Sequence, residues 1–219
     1  MTSLMFGSKD IARRRSFFGH LGGAIVLGLG GLISNPLRAQ TTANRSDGLD
    51  WPGTLRGRHR QVVDAVEVNS GFPLAFAYTF LSPNESATAV VILRHLATPI
   101  ALTHSMWDKY KIGESFKIID PETKAPATKN PFLNPKAGVL PVGDGIALDR
   151  LLAKGVIFGV CNIALQNLSK RVAANAGASA EEAAKEWRAN VVEGISILSS
   201  GTWGVNRAQE AGCTYCVGS

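Results

Sequence analysis

The chain has no glycine-rich loop of the GxGxxG kind after a strand, no Walker-type sequence, and no Ser, His and Asp at the spacing of a hydrolase set. Those absences remove the usual sequence grounds for a nucleotide cofactor or a serine nucleophile. The single CxxC, Cys213-Thr214-Tyr215-Cys216, has no second CxxC or HxxxH to complete a zinc set. Only Val217, Gly218 and Ser219 follow it, too few for the helix that a thioredoxin-type motif begins. No cofactor and no metal are therefore expected. With three cysteines in all, any one disulfide leaves a thiol over. Pairing of Cys213 with Cys216, or of either with Cys161, stays open for an oxidising compartment.

Long apolar runs are scarce as well. The longest, Leu21 to Ile33, is broken by Gly28, Gly30 and Gly31 and falls well short of the roughly 20 residues that span a bilayer. It follows Arg13-Arg14-Arg15-Ser16-Phe17-Phe18 and precedes Pro36-Leu37-Arg38-Ala39. A charged, an apolar and a small-residue region in that order form an export signal, and the paired arginines resemble the twin-arginine type. Residues 1–39 are expected to be this leader, cut after Ala39, with the twin-arginine translocase as a partner in transit.

The net charge of +6 is largely a property of that leader. Lys9, Arg13, Arg14, Arg15 and Arg38 against Asp10 place four of the six charges there, leaving two for the remainder. A nearly neutral remainder without a basic stripe excludes nucleic acid as a partner.

What the chain does have is alternation. Residues 40–57 read as a polar linker anchored by Trp51-Pro52, and 58–219 as one domain. Arg60 to Val68 predicts a first strand and Pro73 to Leu81 a helix, with Leu74, Ala77, Tyr78 and Leu81 on one face. Thr88 to Leu93 predicts a buried strand ending at Arg94-His95. Thr98 and Pro99 then predict the cap and first turn of a helix lined by Leu102, Met106 and Tyr110 and stopped at Gly113.

Residues 120–144 hold five of the ten prolines and no sustained period, a proline-rich insertion that covers a site, meets another subunit or is simply solvated. Phe132 and Leu133 imply that its middle packs on something. Leu148, Leu151 and Leu152 predict a short helix stopped by Gly155. Ser179 with Glu182 forms a capping box, with Ala180, Ala184, Trp187 and Val191 as the expected buried side of the helix it opens. Ile195 to Leu198, Thr202 to Ala211 and Cys213 to Val217 predict strand, helix and edge strand. The fold class is α/β, a single layered domain with a mainly parallel sheet of about five strands flanked by helices.

Chemistry centres on Gly155 to Leu165, GVIFGVCNIAL. A strand closed by Cys161 and followed at once by a helix puts a thiol where ligands collect in open α/β sheets, and where the helix dipole favours a thiolate. Cys161, Leu165, Leu168 and Val172 also share the spacing of a buried face, so the same thiol has a purely packing reading. If the strands ending at His95 and Cys161 are neighbours, imidazole and thiol share one crevice, an arrangement that activates cysteine.

GVIFGVCNIAL, GISILSSGTWGVNRAQEAGCTY and VVILRHLATPIAL together resemble the DsrE-like proteins of bacterial sulfur metabolism, over roughly Arg60 to Val217. The resemblance implies a small α/β subunit that forms homo-oligomers and carries sulfur as a persulfide on a cysteine after a strand, which maps onto Cys161. It also implies a sulfur donor or acceptor protein as partner. His95 is then a thiolate-activating neighbour and Asn162 an orienting group. The alternative is a non-catalytic oligomeric module in which Cys161 is core and the crevice under residues 120–144 holds a small ligand or a protein.

Overall fold

The computed structural model describes residues 51–83 and 86–218. The expected leader and the first part of the linker, residues 40–50, lie outside the described residues. Five strands, β1 (His59–Ala65), β2 (Ala87–Leu93), β3 (Ile157–Cys161), β4 (Ile195–Leu198) and β5 (Thr214–Val217), form one all-parallel sheet in the order β4-β3-β2-β1-β5. The expected α/β class with a five-stranded parallel sheet is the observed one. The helices are α1 (Phe72–Leu81), α2 (His104–Lys109), α3 (Ile112–Phe116), α4 (Leu148–Ala153), α5 (Asn162–Val172), α6 (Ala180–Ala189) and α7 (Gly201–Glu210).

The central strands are apolar on both sides because both sides are covered. Val63, Val91, Leu93, Phe158 and Val160 face a large core that includes Leu74 of α1, Leu151 of α4 and Leu165 and Leu168 of α5. Val62, Val90 and Ile92 face a smaller core with Leu198 and with Val205 and Ala208 of α7. Trp51 and Leu55 are buried in that second core, so the segment expected as linker joins the domain from Trp51 onward.

The helix expected from Thr98 to Gly113 is not continuous. A 3₁₀ helix over His95–Ala101 gives way to extended backbone at Leu102 and Thr103, then to α2 and, after a left-handed turn at Lys111, to α3. Hydrogen bonds from distant residues cause the break. Leu102 bridges Val191, Thr103 N–H donates to Asn190, and the Asn130 side chain donates to the carbonyls of Ile100 and Leu102. Thr98, expected as a cap, is fully buried inside the 3₁₀ helix and caps nothing.

Residues 120–144 are pinned to the domain. Asn130, 2% exposed, also accepts from Phe132 N–H, while its own N–H donates to His104 Nδ1. Phe132 is buried in the large core, as expected of the loop's middle. The capping box of α6 is present in both directions between Ser179 and Glu182. Its buried stripe is Ala183 and Trp187, not Ala180 and Ala184; Ala180, at the first helical position, is exposed. Trp187 packs edge-on against Tyr110, with ring centroids 5.8 Å apart.

Two tests follow from this packing. Asn130→Ala strands two buried carbonyls and an N–H, and should cost on the order of 3 kcal/mol. A lower urea midpoint at unchanged slope would show it. Glu186 accepts from Lys109 Nζ at 2.6 Å and from the Tyr110 hydroxyl at 2.6 Å, which holds its carboxyl below the ordinary 4.5. The folded state therefore binds this proton less readily than the unfolded chain. The stabilisation is complete above the ordinary glutamate range and is lost as pH falls through the lowered value. Stability measured from pH 6 down to pH 3 should fall less steeply in Glu186→Gln.

Candidate functional site

Faces and strand order together fix where a crevice opens. β3 is followed by α5 on the large-core face, whereas its neighbour β4 is followed by α7 on the opposite face. Adjacent strands whose helices leave to opposite sides make a topological switch point, with the crevice at their carboxyl ends. Cys161 ends β3 and pairs in register with Leu198, the last residue of β4. It therefore stands in that crevice.

The cleft there has a volume of about 310 Å³. Arg94, His95, Cys161, Asn167, Ser200 and Thr202 contribute its polar lining, with Ile163, Ala164 and Leu168 as apolar wall. β2 and β3 are neighbours, with Leu93 opposite Val160, so the residues after them share the crevice as expected for His95 and Cys161. His95 is exposed and adopts a left-handed backbone with φ 49°. Cys161 is 7% exposed, and no hydrogen bond engages its thiol among the described residues.

Asn162 is placed differently. Its side-chain oxygen accepts from Arg188 of α6, and the residue is not part of the cleft lining. Asn167, one and a half turns further along α5, lines the cleft instead.

Sequence reasoning passed over the charged row behind the thiol. Asp64, 4% exposed near the end of β1, accepts from Arg94 Nε at 2.6 Å and Nη2 at 2.9 Å. The Tyr215 hydroxyl of β5 donates to the same carboxylate at 3.0 Å. Bidentate pairing with a buried carboxylate raises the Arg94 pKa further, so the guanidinium stays charged throughout the working range. The same carboxylate, with burial, pushes the Tyr215 phenol up and keeps it neutral. A polar residue at an inward-facing strand position, Asp64 after Val62, was the available signal.

Gly201 lets this row meet the start of α7. A Cβ built at Gly201 would stand 2.7 Å from Arg94 Cβ and 3.1 Å from Cys161 Cβ. Such spacing requires glycine. Further along the helix, a Cβ at Gly204 would lie 2.4 Å from Leu198 Cδ1, so α7 sits close to the sheet at both points.

The remaining cysteines are separated from this centre and from each other. Cys213 is buried in the small core, while Cys216 packs against the large one. All three thiols are free. Residues three apart along extended backbone span about 10 Å and point to opposite faces, beyond the reach of a disulfide. Burial pushes both thiols up. Among the described residues no cluster of three His, Cys, Asp or Glu side chains forms a metal site.

The close approach at Gly201 is directly testable. Gly201→Ala should destabilise by about 1–3 kcal/mol through overpacking against Arg94 and Cys161. Gly53→Ala, where nothing lies within 4 Å, is the matched control and should melt at nearly the unsubstituted temperature.

No family model matches the chain, and no curated protein matches it. Among solved structures it is similar to the protein of unknown function MTH1491 from Methanobacterium thermoautotrophicum, at 14% identity over 73% of this chain and 99% of that one, with a TM-score of 0.42.

Proposed function

We propose that this chain is a sulfur carrier of the DsrE-like type, exported through the twin-arginine route, that holds sulfur as a persulfide on Cys161. The observation that carries the reading is the placement of a thiol with no hydrogen bond, between the starts of α5 and α7, in a cleft that also holds Arg94 and His95. The thiolate is the nucleophile in sulfur transfer, and the cleft that holds this thiol also holds two helix starts and a guanidinium. A persulfide on Cys161 is anionic and meets the same partners.

His95, exposed and on the wall of the same cleft, is the imidazole placed to take the thiol proton. Arg94 cannot serve as that base, because its pairing with Asp64 holds it protonated. Asn162 is left a backbone role at the first turn of α5, since its side chain is engaged by Arg188. Cys213 and Cys216 take no part, lying on different faces at the far edge strand.

Incubation of the reduced protein with polysulfide, followed by intact-mass measurement and peptide mapping, tests the reading. The expected result is a gain of sulfur on Cys161 that reductant reverses and that Cys161→Ser abolishes. Unmodified Cys161 in the folded protein, reacting with iodoacetamide only on unfolding, would sink the carrier. The chain would then be read as a binding module, with the 330 Å³ groove lined by His104, Lys129 and Pro135 beneath the proline-rich loop as its ligand site.

A further inference from the structure

We propose that the sulfur donor taken by the Cys161 cleft is a small sulfur oxyanion of the thiosulfate class, a sulfane sulfur bonded to a sulfonate, and that Arg94 is the residue that binds it. This rests on Cys161 being the sulfur-bearing thiol and adds the identity of what it reacts with. Four observations converge on an anion. No acidic side chain lines the cleft. The one carboxylate behind it, Asp64, is neutralised by two hydrogen bonds from Arg94 and one from Tyr215.

Arg94 keeps capacity for a ligand. Its Nε and Nη2 hold Asp64, while Nη1 has no partner among the described residues, and the side chain is 28% exposed on the cleft wall. Finally, two helices of ten residues or more begin at the cleft without a side-chain cap and without an acidic residue in the first turn. The first N–H groups of α5 and α7, at Asn162 to Ala164 and at Gly201 to Trp203, have no intrahelical acceptors and favour an anion. Cys161, more than nine-tenths buried and unpartnered, stands between those two starts. Ser200 and Thr202, whose hydroxyls are 2.9 Å apart, add donors at the same rim.

An anion seated this way puts its sulfonate oxygens on Arg94 and the helix starts and turns its sulfane sulfur toward Cys161. The reaction balances without an external oxidant. Cys161 gives its proton to His95 or solvent. The thiolate attacks the outer sulfur, a new S–S bond forms as the bond within thiosulfate breaks, and sulfite leaves with the electron pair. The sulfane sulfur keeps its oxidation level, and the product is the Cys161 persulfide. Arg94 serves both the bound donor and the departing sulfite.

The test uses the reduced full chain with thiosulfate, reading sulfur gain on Cys161 by mass and sulfite released in solution. One sulfur and one sulfite per chain are expected. Arg94→Gln should raise the thiosulfate concentration that half-saturates the loading rate about 10- to 100-fold, as expected for loss of a charge-assisted contact, with Arg94→Lys recovering part of it. Because Arg94→Gln leaves Asp64 buried and unpaired, the double variant Asp64→Asn/Arg94→Gln provides the same measurement without that charge. Sulfate, an inert oxyanion, should slow alkylation of Cys161 by neutral iodoacetamide in a saturable manner, and this protection should vanish in the double variant.

Loading by polysulfide but not by thiosulfate, without protection by sulfate, would overturn the oxyanion proposal and leave the carrier standing. Loading by neither would overturn the carrier and the proposal together. An unchanged half-saturating thiosulfate concentration in a folded double variant would remove Arg94 from the binding role and overturn the proposal as stated.

Discussion

A carboxylate cannot be left bare at the carboxyl end of a sheet under a packed helix, and Asp64 is 4% exposed there. An unpaired charge in that position would be strongly destabilising, whereas a bidentate guanidinium with a phenol hydroxyl satisfies both oxygens. The Asp64 pairing therefore ties β1 to β2 through Arg94 and to β5 through Tyr215. The backbone repeats the tie, with Arg94 N–H donating to Ala65 and Gly218 N–H to Asp64. Once Arg94 is fixed by this demand, its guanidinium stands on the wall of the cleft that contains Cys161.

The second constraint is distance. α7 begins against Arg94 and Cys161 because Gly201 has no side chain, and it stays near the sheet because Gly204 and Gly159 leave room for Leu198. A larger residue at Gly201 would push the start of α7 away from both. The electrostatics of the cleft thus depend on a steric choice three strands away from the buried carboxylate.

Much of this was legible from local signals. The capping box at Ser179 and Glu182, Pro73 at the start of α1, the Gly155 stop and the β3 run each act within a few residues, where propensity and pattern are strong. The placement of His95 and Cys161 in one crevice followed from two strand ends and needed only that the strands be neighbours. The sequence pattern misled between Thr98 and Gly113, because the periodic apolar residues are real but the backbone bonds to Asn130, Asn190 and Val191, far away in the chain. The surroundings of Asn162 were hidden for the same reason: its partner, Arg188, lies on another helix. Arg94 was visible as the residue before His95, yet its importance depends on Asp64 and Tyr215, which only the strand order brings beside it.

That strand order also separates the thiols in space. With β5 added outside β1, the CxxC lies at an edge strand, with Cys213 buried in the small core and Cys216 partly buried against the large one. β3 has partners on both sides, so Cys161 opens onto a crevice flanked by Arg94 and His95 after β2 and by Ser200 after β4. The thiol shares the cleft lining with Arg94 and His95 on one side and Ser200 and Thr202 on the other. The same topology that divides Cys213 and Cys216 between two faces gathers Arg94, His95, Ser200 and Thr202 around the cleft that Cys161 lines.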